Sequence, residues 1–319
     1  MEHLASRRNI WYTISLLVIL PGVVSLLAFG LKLGIDFTGG TMWNLEFNRT
    51  ITTEEIKTVL ARHGYTGTTV QLSDGKDSGK GNVAIIRMKE LQEGSTAKSE
   101  IAADLTSSIG PFTEQEISSV GPSVGNAIRN RSIMAVAIAA VGILLYIGYA
   151  FRNTQNPFLY GICALVAMMH DVLVVLGIFS ILGWATGTEI NALFVTAVLT
   201  IIGFSVHDTI VVFDRIRENL AKKTSSSFEE VVNFSLAQTV VRSLNTSMTV
   251  TFTLLALYLF GGESTKDFVL ALLIGVVSGT YSSIFNASQL LVSWESGDIQ
   301  RWFHKLTGNR IKSAAAGAR

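Results

Sequence analysis

The chain has 319 residues and a net charge of +1; 49% of its residues are hydrophobic, only 15% are charged, and the mean hydropathy is +0.42. A soluble domain carries about 25% charged residues, so the deficit points to lipid as the surrounding solvent, and the near-zero net charge excludes a binder that works by neutralising nucleic-acid phosphates. The one cysteine, Cys163, lies inside an apolar run, which excludes an intrachain disulfide and a cysteine metal site and leaves a small buried apolar residue.

In chain order, Arg7 and Arg8 precede an apolar run over 10–31. The run exceeds the about 7–15 residues of a signal-peptide core, no A-x-A-like site follows it, and it reaches the about 20 residues a span needs. It is expected to stay in the membrane as a helix, with Pro21 as a candidate kink. Residues 34–130 read as a water-soluble domain. A strand over 42–47 is followed by Thr52-Thr-Glu-Glu55, a capping box that opens a helix running to about His63. Strands over 68–72 and 83–88 flank a polar loop at 73–81; a helix over 97–108 and a strand over 114–120 close the domain. The order βαββαβ is the ferredoxin-like arrangement. His63 reads as a solvated residue at a helix end.

Five further apolar runs follow: 133–151, 158–182, 190–213, one that begins between Val240 and Leu244 and ends at Phe260, and 268–292. Polar turns at 152–157, 183–189, 215–230 and 261–267 separate them. The fifth span is the weakest, because Arg242, Ser243, Asn245, Thr246 and Ser247 crowd its first half. The fold class is an α-helical integral membrane protein with six transmembrane helices and an α+β domain between the first and second. Its segments are 1–33, 34–130, 131–294 and a basic tail, 295–319.

With six spans, Arg7 and Arg8, Arg152, the group Arg215, Arg217, Lys222 and Lys223, and the tail residues Arg301, Lys305, Arg310 and Lys312 all fall on one side. The loop 183–189 has no Lys or Arg and the loop 261–267 only Lys266. The positive-inside rule then makes both termini cytosolic and 34–130 extracytosolic. Lys32, Arg129 and Arg131 depart from it, but they flank a large domain, and such domains cross largely regardless of charge.

Ionisable residues inside a span are costly and mark functional hypotheses. Asp208 lies among Ile, Val and Phe in the fourth span and must bind a proton or find a cation. Arg242 in the fifth span is its expected partner, since both lie 17 residues from Ser225 in the intervening turn, hence at similar depth. Arg stays charged, so Asp208 is the member that can switch; the alternative is a static ion pair. His170 and Asp171 in the third span read either as a second stop on a proton path or as a hydrogen-bonded pair that never titrates. His207 either joins the relay or donates a hydrogen bond. Asp214, Arg215 and Arg217 mark the cytosolic end of the fourth helix and read mainly as a solvated cluster. Gly275 and Gly279 form a small-x-x-x-small pair for close helix contact, and Asn286 and Gln289 are expected to face the bundle. No phosphate loop, zinc-protease or serine-hydrolase motif is present, and Gly39-Gly40 lacks the Lys of a phosphate loop. The chain is therefore expected to be no enzyme, to hold no cofactor or metal, and to draw on an ion gradient.

Four stretches carry a resemblance over about Arg7 to Trp294: Gly34-Ile-Asp-Phe-Thr-Gly-Gly40, Ala167-Met-Met-His-Asp-Val172, the long Gly203 to Asn219 segment around Asp208, and Gln238 to Ser247 with Tyr258-Leu-Phe-Gly-Gly262. The chain resembles the SecD/SecF protein-export family of the resistance-nodulation-division superfamily, in its smaller type of chain. The resemblance implies an accessory subunit of the Sec translocase. It implies pairing with SecD, work beside the SecYEG channel with SecA and with YajC, and pulling on translocating preproteins at the inner membrane of a prokaryote with energy from proton flow. It maps the family's essential Asp and Arg onto Asp208 and Arg242, includes His170-Asp171, and places Gly34, Asp36, Gly39 and Gly40 in the motif after the first helix. One departure stands out: the family usually has Asn before the fourth-helix Asp, and here it is His207. The chain carries no SecD half, so SecD is expected as a separate chain. The competing functions are a small-molecule or lipid exporter of the same superfamily and a purely structural translocase subunit.

Overall fold

The computed structural model describes residues 5–74, 82–91, 96–154, 156–225, 227–298 and 301. The polar loop from 75 to 81 and most of the basic tail lie outside these residues. The chain forms two compact units. One is Met1–Lys32, Val136–Thr188 and Leu193–Arg319; the other is Leu33–Ala135 together with Glu189–Ala192.

Among the described residues, six helical segments, lying mostly in the first unit, are long and apolar enough to cross a membrane. These are α1 (Arg8–Phe29), and then, after the second unit's α2 (Ile35–Thr38), α3 (Thr53–Arg62) and α4 (Ala97–Ser108), the helices α5 (Pro122–Ala150), α6 (Pro157–Thr186), α7 (Ala192–Ala221), α8 (Phe228–Phe260) and α9 (Glu263–Ser282). A π-helical turn, Ser283–Ala287, joins α9 to α10 (Ser288–Glu295), so the sixth span is one long path. Pro21 lies inside α1, as its sequence position suggests. α6 and the sixth span are the most enclosed, with 61% of their apolar windows buried, against 11% for α5 and α8; the former make the centre and the latter the periphery.

Several helices outrun their apolar cores. The turn expected over 215–230 is in fact helical to Ala221 and again from Phe228, and the expected loop at 261–267 is helical from Glu263. The fifth span thus starts well before its apolar run. Hydropathy detects only the stretch that lipid demands, whereas polar residues such as Glu229 and Glu230 suit the first turn of a helix, where the macrodipole is positive.

Close approach of backbones fixes the helix pairs. A Cβ added at Gly22 of α1 would stand 2.8 Å from the Cα of Gly177 on α6, and one at Gly177 would stand 2.6 Å from that of Gly22. Ser25 and Ser180 share a hydrogen bond of 2.8 Å across the same pair. Nearer the N-terminal end of α1, Tyr12 and Ser293 pair at 2.9 Å, and Ser15 donates to Asn286 at 2.8 Å. Asn286 and Gln289 are both buried in this bundle, as is Cys163.

The second unit is built on a four-stranded sheet of β1 (Gly40–Phe47), β2 (Thr69–Asp74), β3 (Asn82–Met88) and β4 (Phe112–Val120), in the order β2-β3-β1-β4 with every neighbour antiparallel. With α3 and α4 it gives the βαββαβ succession of a ferredoxin-like domain. Trp43, Leu45 and Phe47 alternate along β1 into a core shared with Ile86, Ile56, Leu60, Ile101 and Leu105. The capping box of α3 is complete: Glu55 N–H donates to Thr52 Oγ1 at 3.3 Å, and Thr52 N–H to Glu55 Oε2 at 2.8 Å. His63 ends this helix with Nε2 3.1 Å from Asp104 of α4. A hydrogen bond from Ser108 holds the Asp104 carboxyl below the usual carboxylate range, aided by His63 and Arg62.

Candidate functional site: two buried carboxylates and a glycine motif

Asp171 is fully buried on α6 and is the hub of the membrane unit. Ser205 of α7 and Ser282 of α9 each donate to its Oδ2 at 2.6 Å, and Ser278 of α9 donates to its Oδ1 at 2.7 Å. His170 Nδ1 lies 3.0 Å from Oδ1. Three serine hydroxyls from two neighbouring helices thus converge on this one carboxyl group, and His170 Nε2 has no hydrogen-bond partner among the described residues. Gly279 makes room for this arrangement, since an added Cβ would stand 3.3 Å from Ser205 Cβ and 3.6 Å from Asp171 Oδ2. Gly275, one turn earlier, abuts the Ile201 side chain, which any added Cβ would overlap.

Asp208 lies on α7, three residues after Ser205, and is 3% exposed. Ser247 of α8 lies beside it, and Ser247 accepts from Thr280 of α9 at 2.6 Å. Among the described residues its Oδ2 has no hydrogen-bond partner, and neither has the hydroxyl of Ser243, four residues before Ser247 on α8. The two carboxylates thus differ: Asp171 is met by three serine donors, whereas Asp208 keeps an oxygen free.

The expected ion pair between Asp208 and Arg242 is not closed in this structure. Arg242 is on the exposed face of α8 and makes no ion pair among the described residues, although its charge acts on Asp208 from farther away. Equal distance from a turn sets equal depth, but it does not set the azimuth; Ser243 and Ser247 take the inward face and turn Arg242 outward. Arg242 heads a polar row on α8 with Asn245, Thr246, Thr249 and Thr253, all exposed. His207 is also exposed, on the opposite side of α7 from its buried neighbours. Asp214, Arg215 and Arg217 form local surface pairs, Asp214 with Arg217 at 2.5 Å and Arg215 with Glu218 at 2.7 Å. Residue-level reading of the sequence did not single out Ser205, Ser278, Ser282 or Thr280. The signal was there in Ser278 and Ser282, spaced by one turn beside the Gly275 and Gly279 row.

In the second unit, the segment Gly34 to Gly40 forms a compact junction. Gly39 and Gly40 have φ of 75° and 125°, a region that favours glycine. An added Cβ at Gly40 would stand 2.6 Å from the Met88 carbonyl oxygen of β3, and one at Gly39 2.8 Å from the Cα of Pro122, the first residue of α5. Asp36 Oδ2 accepts the backbone N–H of Ala192 at 2.7 Å, and Gly34 N–H donates to the carbonyl of Ile190 at 2.8 Å.

Residues 101–297 match the family described as "Protein export membrane protein SecD/SecF, C-terminal", and residues 24–50 match the "SecD/SecF GG Motif". The chain belongs to the SecD/SecF family. It is 57% identical over 303 residues to the protein translocase subunit SecF of Thermobaculum terrenum, covering 93% of this chain and 95% of that one. It is 33% identical over 299 residues to the protein translocase subunit SecDF of Bacillus subtilis, covering 93% of this chain and 38% of that longer one. The crystal structure of SecDF, a translocon-associated membrane protein, from Thermus thermophilus aligns with a TM-score of 0.78 at 31% identity over 92% of this chain, which spans 38% of that chain. The SecD/SecF glycine motif, which here forms the Gly34 to Gly40 junction, thus has a steric basis: its glycines sit where side chains would collide with β3 and with the start of α5. The C-terminal family region contains Asp171, Asp208, Arg242 and all the hydroxyl residues that surround the two carboxylates.

Proposed function

We propose that this chain is a SecF-type subunit of the Sec translocase, which acts with a SecD-type chain to complete preprotein export across the cytoplasmic membrane and is driven by proton flow through Asp208. The observation that carries the energetic part is Asp208 itself. It is a carboxyl group buried in a span, with one oxygen unpartnered and the other side lined by the Ser247–Thr280 hydroxyls. A buried polar atom without a partner costs about 1–3 kcal/mol, so a site that keeps one calls for a functional reason. Similarity to SecF subunits along nearly their whole length supports the translocase role. The charge asymmetry of the loops supports cytosolic termini and an extracytosolic second unit. SecYEG with SecA, YajC and the moving preprotein are the further partners of this reading; it needs neither cofactor nor hydrolytic site.

A second reading applies to Asp171. Three serine donors from α7 and α9, with His170 beside them, favour a fixed joint between α6, α7 and α9 over a carrier that must gain and lose a proton. The proton path proposed here therefore runs through Asp208, with Arg242 acting by its field and His207 at the periphery.

The test is export of a secreted precursor into inverted membrane vesicles that contain this chain and its SecD-type partner, with and without a proton gradient. Asp208→Asn, which keeps the shape, is expected to abolish the increment that the gradient adds while the protein stays assembled. Full retention of that increment would assign Asp208 a structural role and remove the energy coupling.

A further inference from the structure

The strap of residues between α6 and α7 is held by the glycine-motif unit at three independent points. Glu189, Ile190 and Ala192 all cluster with Leu33–Ala135 and not with the helices to which they are joined by the chain. The first point is backbone: Gly34 N–H donates to Ile190 O at 2.8 Å, and Leu33 and Ile190 form a parallel β-bridge. The approach is close: a Cβ at Gly34 would lie 3.0 Å from that same carbonyl oxygen. The second is the carboxylate of Asp36 on the N–H of Ala192 at 2.7 Å. The third is an ion pair, Arg87 Nε to Glu189 Oε2 at 2.7 Å, with side chains only 17% and 19% exposed. Arg87 lies on β3, an inner strand of the sheet.

Ala192 is the first residue of α7. Its N–H is one of the four that an α-helix leaves without an internal acceptor, at the end where the dipole favours negative charge. Asp36 therefore caps α7 from 156 positions away in sequence. The same helix carries Asp208, about 24 Å farther along the axis at 1.5 Å per residue. A continuous helix transmits displacement along its axis, whereas a loop without fixed partners absorbs it.

We infer that Asp36, together with the Arg87–Glu189 pair, is the coupling point of the molecule: the motif unit grips the 189–192 strap and so moves as one with the N-terminal end of the helix that carries Asp208. The inference rests on the proposed role of Asp208 and assigns the glycine motif a mechanical task, that of holding Asp36 in place while its glycines clear β3 and α5. The ion pair is the orientation lock and Asp36 the axial tie.

The experiment uses the full chain with its SecD-type partner in the same vesicle assay, with export measured with and without the gradient. Asp36→Ala is expected to lose the gradient-dependent increment while gradient-independent export, protein level and co-purification of the partner stay unchanged. Asp36→Asn, which keeps an acceptor oxygen, is expected to retain most of the increment. Arg87→Glu and Glu189→Arg are each expected to lose it, and the double variant that exchanges the two charges to regain it. A merely structural contact would lower both kinds of export together, and that result, or failure of the charge exchange to rescue, overturns the inference. Asp208→Asn run alongside separates the two proposals. If Asp208→Asn loses the increment and Asp36→Ala keeps it, the proton reading stands and the tie falls; the reverse pattern leaves the tie standing and removes the proton reading.

Discussion

Asp171 accepts from Ser205, Ser278 and Ser282 and pairs with His170, and each of those partners has been taken out of water along with it. Removing the shared acceptor strands several donors at once, so the effect is one of stability. Asp171→Ala is expected to destabilise the folded chain by more than about 1–3 kcal/mol, the cost of leaving a single buried polar group unsatisfied. Asp208→Asn, with an oxygen already unpartnered, is expected to leave stability nearly unchanged. Thermal unfolding of the purified protein in detergent distinguishes the two, and equal losses would contradict the division of roles. The sequence made both carboxylates visible, since an acid in an apolar run is conspicuous. It did not reveal the serines around Asp171, because a hydroxyl in a span is cheap and has many packing explanations. Nor did it set the direction of Arg242: depth follows from counting residues to a turn, but which face a residue takes depends on the neighbours that occupy the inner face.

At the scale of elements, the α1–α6 pair depends on backbone contact, Gly22 against Gly177, and not on interlocking side chains. Without hydrophobic drive between helices in lipid, such close approach supplies dispersion contacts that larger residues would forfeit. Gly177→Ala puts a methyl group into the backbone of α1 with nothing flexible to yield, and overpacking of this kind costs about 1–3 kcal/mol. Gly142→Ala on α5 meets nothing within 4 Å and serves as the control. The expected result is a lower unfolding temperature in detergent for Gly177→Ala and none for Gly142→Ala; matching behaviour would show that α1 shifts freely. The sequence offered Gly275 and Gly279 as a packing pair because their spacing lies on one helix. Gly22 and Gly177 share no such pattern, being far apart along the chain, so only the fold brings them together. The α+β domain was far more legible. Alternation along β1, the capping box at Thr52 and the polar breaks between segments are all local signals, and local signals suffice for a βαββαβ succession. The strap at 189–192 was not legible, because segmentation by hydropathy assigns contiguous stretches and has no term for a loop captured by a distant domain.

For the whole molecule, the decisive quantity is what its outer faces leave uncovered. Ordinary lipid-facing positions such as Ile138 and Leu145 on α5 are apolar and at ease in hydrocarbon. The polar row on α8 is different. Thr246, Thr249 and Thr253 return their hydroxyls to carbonyls of their own helix, but Arg242 and Asn245 have no side-chain partner among the described residues. A guanidinium facing lipid costs about 2.5–3.5 kcal/mol at the centre of a span and less toward its ends, and Arg242, at the start of the apolar run, bears the smaller cost. A second protein surface that supplies acceptors removes that cost, and the SecD-type chain is the partner that family membership offers. A spin label at Thr249 then reports the cover directly. Its collision rate with oxygen dissolved in the bilayer is expected to be high in this chain alone and to fall when the SecD-type chain is reconstituted with it, while a label at Ile138 keeps its rate if α5 remains in lipid. An unchanged rate at Thr249 would mean that the row faces lipid or water in the assembled complex. The Arg242 charge would then be met by headgroups or solvent, and the fifth span would have to tilt or thin the bilayer to reach them.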